Sequence, residues 1–157
     1  MNTSPLVSIL SHLSSQPLDT HPLNIHFLYS SRLPNGVEKS SEEANLEQIL
    51  FLSRLRNIVR AQSQSKKLRI SLNLFLTNLN SSQPESTRDP ADLAIHPRRI
   101  NEEDLRSSIT GTDGQLDPLK TVSYICGPPH MTDEMIDRLK VILDDRDERR
   151  IFYEKWW

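Results

Sequence analysis

The sequence predicts an α/β fold, a Rossmann-like parallel sheet with helices on its faces. Apolar runs of strand length alternate with segments of helical periodicity along the 157 residues, a pattern typical of parallel sheets covered by helices. The run at 68–77 places leucine or isoleucine at every second position, as a strand does. A later strand runs directly into a Gly-Pro-Pro turn and a helix, the kind of place where open α/β sheets bind ligands. A chain of this length fits one domain.

Caps and periodicity predict the elements of the first half. A serine and a proline suit the N-cap and the first position of a helix over 5–15, whose apolar residues share one face. A strand follows at 24–30, with apolar residues alternating along it. The longest helical pattern, 42–64, then precedes the leucine-rich strand.

The second half begins with a segment of different composition. Residues 78–98 are rich in Ser, Pro, Asp and Asn, so we expect an exposed, flexible insertion there. Asn101 is expected to cap a short helix over 101–109, with Asp104 three residues further on. The remaining elements are a strand, a helix and a last strand, expected at 122–126, from 132 onward and at 151–154.

Composition excludes several classes of function. The formal net charge is −2, and a nucleic-acid-binding surface would need a concentrated basic patch. No apolar run approaches the roughly 18 residues of a membrane span. A single cysteine favours a reducing compartment, and the first 31 residues contain no Lys or Arg of the kind that targeting segments carry. We therefore expect a cytoplasmic protein as written, although a longer form could carry a mitochondrial targeting segment.

The motif Cys126-Gly127-Pro128-Pro129 closely resembles the Cys-Gly-Pro-Pro motif of the ferredoxin–NADP reductase superfamily, in the half that binds the nicotinamide dinucleotide. The resemblance implies that Cys126 lies beside the reacting nicotinamide carbon and orients the hydride path. It also implies that the following turn, with Met131, lets the dinucleotide approach the backbone. The alternatives are a small buried hydrophobic cysteine and a plain connector between strand and helix.

Three further segments resemble the same family in the same order. The helix that opens at Ser4 and Pro5 implies a pyrophosphate site at its N-terminus, which agrees with the preference of helix N-termini for anions. The strand end at Ser30, Ser31 and Arg32 implies contacts with the adenosine ribose. No Asp or Glu is present there to accept from a ribose 2′-hydroxyl, so NADP is favoured over NAD. The alternative is a polar loop with a solvated arginine.

The C-terminal tail matches the family's terminal aromatic. In the family such a residue shields the flavin ring, and Trp156 aligns with it best. The alternative for Trp156 is a hydrophobic plug at the C-terminus.

The chain also departs from the family pattern. The family's first, central strand, its Gly-rich loop and its flavin-binding barrel have no counterpart in the sequence. We therefore expect residues 1–157 to be an N-terminally truncated NAD(P)-binding domain that lacks its central strand and has no flavin-binding domain. The cofactor implied is NAD(P)H, and FAD is implied only together with the missing flavin domain.

The resemblance implies the dinucleotide-binding part of a flavin-dependent oxidoreductase that moves electrons between NAD(P)H and a flavin. The electron acceptor beyond the flavin is not identified by the sequence. No carboxylate spacing indicates an acid/base pair, and no histidine or cysteine spacing indicates a metal site. The alternative is a truncated, non-catalytic interaction module or an inactive fragment.

Overall fold

The computed structural model describes residues 4–17, 23–33, 46–65, 67–78, 93–111, 113–144 and 148–156. They belong to two compact units, Met1–Ile100 and Asn101–Trp157. Each unit contains a parallel sheet with helices packed against it. The predicted α/β class is therefore confirmed. Within the described ranges no helix has both the length and the apolar character needed to cross a membrane.

Within its described residues, the first unit contains a three-stranded sheet and two helices of more than ten residues. Its strands have the order β1-β2-β3 and every pairing is parallel. The first pairing runs without interruption from Leu23 opposite Leu68 to Ser31 opposite Leu76. In chain order the elements are α1 (Pro5–Ser15), β1 (Leu23–Ser31), α2 (Leu52–Ser65), β2 (Leu68–Leu76) and β3 (Ala94–His96).

Alternation along β2 creates the core of this unit. Because side chains alternate across a strand, Leu72, Leu74 and Leu76 share one face, and all three are buried in a single apolar cluster. Full burial of each leucine is worth about 1.5–3 kcal/mol, so this face fixes the register of the sheet. The helices and the other strands complete the cluster with Val7, Leu10, Phe27, Ile49, Leu52, Leu55, Val59 and Leu93.

The second unit contains two parallel strands and two helices. Asn101 caps its first helix as predicted, because its side chain accepts from the Asp104 N–H at 2.9 Å while the Asp104 carboxylate accepts from the Asn101 N–H at 2.8 Å. The predicted last strand is also confirmed. In chain order the elements are α3 (Glu102–Thr110), β4 (Ser123–Gly127), α4 (Pro129–Ile142) and β5 (Ile151–Lys155).

Four details differ from the sequence-based expectations. The helix expected over 42–64 is interrupted. Leu46 and Glu47 are helical, residues 48–51 form turns in which Phe51 has a φ of 64°, and a continuous helix begins at Leu52; residues 42–45 lie outside the described ranges. Within the segment expected to be a flexible insertion, Leu93 is buried and leads into β3; residues 79–92 lie outside the described ranges. Helix α4 begins at Pro129, three residues earlier than expected. The described strands form two sheets where a single parallel sheet was expected, because β1 pairs only with β2, and β4 only with β5.

Candidate functional site

In the first unit, the N-terminus of α2 lies at the carboxyl end of β1, and α1 runs in the same direction as α2. The Tyr29 hydroxyl, near the end of β1, donates to the Leu50 carbonyl at 2.6 Å, just before α2 begins. Helices α1 and α2 run in the same direction, since Arg54 donates to the Ser11 hydroxyl and Gln62 donates to the Ser14 carbonyl. The first turn of α1 is therefore also directed toward this end of the sheet, which is where parallel α/β sheets bind ligands.

Ser4 and Pro5 occupy the N-cap and first helical positions of α1, as predicted. The Ser4 carbonyl accepts from the Ser8 N–H at 3.1 Å, but the Ser4 side chain makes no capping hydrogen bond. No acidic residue lies in the first turn, so the positive end of the helix dipole is not neutralised from within the helix. The helix start is thus suited to an anion.

The predicted ribose-binding residues lie at the carboxyl end of β1. Ser30 and Ser31 are the last residues of the strand, and Arg32 follows with an exposed side chain. The Ser31 carbonyl accepts from the Thr77 N–H at 3.1 Å, which joins this end to the end of β2. Within the described ranges no hydrogen-bond or ion-pair partner of the Arg32 guanidinium is present.

In the second unit, the Cys-Gly-Pro-Pro motif forms the turn between β4 and α4. Pro128 is the N-cap of α4 and Pro129 its first residue, so neither proline removes a hydrogen bond that the helix needs. Both prolines are exposed. The Gly127 carbonyl accepts from the Trp156 N–H at 2.8 Å and from the Thr132 hydroxyl at 3.2 Å. The turn is therefore fixed to the C-terminal strand and to the helix at once.

Gly127 is closely packed at this turn. A Cβ atom at this position would overlap the methyl group of Met131, and the Thr132 hydroxyl lies on the same side. Met131 thus packs down onto the glycine, and Thr132 is completely buried beneath the turn. The turn is a compact unit, and Cys126 is the residue immediately before it.

Cys126 lies on one sheet face with a carboxylate and three aromatic side chains. Its partner across the parallel strands is Glu154, and Tyr124 pairs with Phe152 two residues earlier. The Tyr124 hydroxyl lies 3.4 Å from the Glu154 carboxylate, and the Trp156 side chain donates a hydrogen bond to the thiol. The three aromatic side chains, Tyr124, Phe152 and Trp156, are all exposed to solvent by 38% or more.

The surroundings of Cys126 keep its thiol protonated. Burial raises the pKa of the thiol, the Glu154 carboxylate raises it further, and the hydrogen bond from Trp156 lowers it. The pKa of the Tyr124 hydroxyl is also raised, by burial and then by Glu154. A neutral thiol is a weak nucleophile, so the arrangement fits a positional role for Cys126.

The structure places the predicted residues in two groups, one in each unit. Ser4 and Pro5 begin α1, and Ser30, Ser31 and Arg32 end β1. The second group comprises Cys126, Gly127, Pro128, Pro129, Met131 and Trp156.

Four residues around Cys126 were missed by the sequence analysis: Tyr124, Thr132, Phe152 and Glu154. The alternation of Tyr124 with Cys126 was a usable signal for one of them. The others depend on the pairing of β4 with β5 and on the packing of α4. No cluster of three potential metal ligands occurs within the described ranges.

Comparison with known proteins gives one informative likeness. The chain is 27% identical over 160 residues to a Danio rerio protein named oxidoreductase NAD-binding domain-containing protein 1. This likeness supports an NAD-binding, oxidoreductase-like relationship. The alignment includes 98% of the chain and 48% of the relative, so the chain spans about half the length of the curated relative it matches. No protein-family model and no solved structure matches the chain.

Proposed function

We propose that the chain is the dinucleotide-binding part of an NAD(P)H-dependent flavoprotein oxidoreductase, in which Cys126 positions the nicotinamide. The observation that supports this most directly is the placement of the thiol. It lies near the carboxyl end of a parallel strand, directly before a Gly-Pro-Pro turn, with Glu154 and Trp156 beside it. The name of the Danio rerio relative agrees with an NAD-binding oxidoreductase domain and does not favour the non-catalytic alternative.

The first unit supplies groups that fit the phosphates of a dinucleotide. The start of α1 offers backbone N–H groups and a helix dipole with no acidic side chain in the first turn. Arg32 adds an exposed guanidinium at the end of β1, and guanidinium groups bind phosphates in a bidentate manner. No carboxylate lies among Ser30, Ser31 and Arg32, so we propose NADP(H) as the preferred form.

The second unit supplies groups that fit flat rings. Phe152 and Trp156 are exposed on the face that carries the thiol, and aromatic side chains stack readily on planar ligands. When bound, the nicotinamide would supply a hydride to the flavin. Because a hydride carries both electrons, no general acid or base is required of the protein at that step. A protonated Cys126 is compatible with hydride transfer, because it fills space and orients the ring without attacking it.

Titration of the purified chain with NADPH and NADH by isothermal calorimetry tests the dinucleotide proposal. We expect binding of both, with NADPH binding more tightly. Arg32→Ala should weaken NADPH binding about tenfold or more, the scale of a hydrogen bond to a charged group, and should leave NADH binding nearly unchanged. Arg69→Ala is the matched control, because Arg69 is an exposed arginine at the amino end of β2.

Each part of the proposal has its own contradicting outcome. A folded chain, verified by circular dichroism, that binds neither nucleotide contradicts dinucleotide binding. Equal affinity for the two nucleotides contradicts only the preference for NADP(H). The flavin part is tested on the full-length protein, whose visible spectrum should contain the absorption bands of a flavin; their absence after gentle purification contradicts flavin dependence.

A further inference from the structure

A side-chain amide at the end of β2 fixes the backbone that follows β1. The Asn78 amide nitrogen donates to the Leu33 carbonyl at 3.0 Å, and the Leu33 N–H donates to the Asn78 side-chain oxygen at 2.9 Å. One side chain thus satisfies both polar groups of one residue, as a hydrogen-bonded partner residue does in a sheet. The two residues are 45 positions apart in the sequence, so this contact depends on the fold.

The backbone is also fixed on the other side of Arg32. The Ser31 carbonyl accepts from the Thr77 N–H at 3.1 Å and from the Thr77 hydroxyl at 3.4 Å. Arg32 therefore lies between two residues that are both held by the end of β2. Its backbone is fixed, while its guanidinium is exposed and has no partner within the described ranges.

A fixed backbone lowers the entropic cost of binding through a long side chain. Ordering an arginine costs side-chain entropy, and ordering its backbone costs conformational entropy in addition. When the backbone is already ordered, only the first cost remains for the ligand to offset. The same argument applies to the Ser31 hydroxyl, although that hydroxyl has a weak internal bond to the Arg32 carbonyl at 3.3 Å.

We propose that Asn78 is a positioning residue for the adenosine end of the dinucleotide site. Its amide fixes the chain after Arg32 so that Arg32 and Ser31 reach the ribose and its 2′-phosphate from one defined position. This inference rests on the proposed function, and it adds a residue that determines how the site distinguishes NADP(H) from NAD(H).

The test compares 2′,5′-ADP with 5′-AMP, since the two probes differ only in the 2′-phosphate. Their affinities are measured by calorimetry for the full chain and for Asn78→Ala. We expect the wild type to prefer 2′,5′-ADP and the variant to lose about tenfold of that preference, the scale of one or two hydrogen bonds. Asn73→Ala should keep the preference. Asn73 is the matched control because it lies on β2 and its side-chain amide also makes hydrogen bonds, to Ser71 of the same strand and to His96 of β3.

Amide hydrogen exchange at Leu33 gives a readout that needs no ligand. Loss of the bond to Asn78 should accelerate exchange of this amide in Asn78→Ala, and it should stay slow in Asn73→Ala. If Asn78→Ala does not fold, Asn78→Gln is used, because it keeps both amide groups but displaces them by one methylene.

The outcomes separate this inference from the proposed function. Faster exchange at Leu33 together with an unchanged preference shows that Asn78 is purely structural and overturns the inference. A wild type that binds both probes equally overturns it as well, while nucleotide binding stands. A folded wild type that binds neither probe contradicts the proposed function, and the inference fails with it.

Discussion

Cys126 and Glu154 are direct partners across the parallel strands β4 and β5. The carboxylate raises the pKa of the thiol, in addition to the effect of burial. The hydroxyl of Tyr124 lies on the same face, 3.4 Å from the carboxylate. Burial first and Glu154 second therefore favour the protonated thiol, and sequence spacing alone did not reveal the second of these causes.

The neighbours of Cys126 lead to opposite predictions for the pKa of its thiol in two variants. Glu154→Gln removes the negative charge that disfavours the thiolate, so the pKa of Cys126 should fall. Trp156→Phe removes a hydrogen bond that favours the thiolate, so the pKa of Cys126 should rise. The measurement is the pH dependence of the rate at which iodoacetamide alkylates the thiol, since only the thiolate reacts. Cys126 is the only cysteine of the chain, so the rate reports this site alone.

Glu102→Gln is the control for charge removal. Glu102 is an exposed residue of α3 that pairs with Arg106 at 2.8 Å, and its loss should leave the alkylation profile unchanged. The explanation of the thiol environment would be wrong if Glu154→Gln and Trp156→Phe shifted the profile in the same direction.

Several parts of the fold could be predicted because they depend on local sequence. Helix α1 has the predicted bounds, and Asn101 caps α3 as its spacing with Asp104 indicated. The interruption of the long helical pattern before Leu52 could not be predicted, because a phenylalanine with positive φ opposes the intrinsic preference of the residue. Phe51 has this positive φ directly after Leu50, whose carbonyl accepts a hydrogen bond from the Tyr29 hydroxyl. That hydrogen bond is a tertiary contact.

The residues of the candidate site also divide into those that local sequence identifies and those that depend on tertiary contacts. Cys126 and its turn were identified from a contiguous motif, whereas Glu154 enters through strand register and Asn78 through a contact between strand ends. Register is fixed by the burial of whole strand faces, and no single residue encodes it. The roles proposed for the predicted residues stay predictions until the nucleotide titrations are done.

The buried hydroxyl of Thr132 should stabilise the turn after β4. Its side chain is completely buried and donates to the Gly127 carbonyl at 3.2 Å. Thr132→Val keeps the shape but leaves this carbonyl with one bond fewer, so unfolding in urea should reveal a loss of about 1–2 kcal/mol. Thr132→Ser retains the hydroxyl and should lose less. A valine variant as stable as the wild type would contradict this role.

Helix capping gives a prediction with an internal control. Asn101→Ala removes the side-chain oxygen that accepts from the Asp104 N–H and so breaks the capping box between the two residues. This loss should cost about 0.5–2 kcal/mol in the free energy of unfolding. Ser4→Ala should cost much less, because the Ser4 hydroxyl makes no capping bond. Comparable losses for the two variants in thermal or urea unfolding would show that the capping geometry is wrong for one of the helices.

The contact between Gly127 and Met131 can be tested with a double-mutant cycle. Gly127→Ala places a methyl group where the end of Met131 lies. Because the methionine side chain is flexible and its end can move aside, the cost should lie at or below the low end of the about 1–3 kcal/mol that overpacking typically costs. Met131→Ala alone removes apolar packing and should also destabilise the unit. In the double variant the overlap is gone, so the loss should be smaller than the sum of the two single losses. Additive losses would mean that the glycine is required for some reason other than this contact, such as the approach of a ligand to the turn.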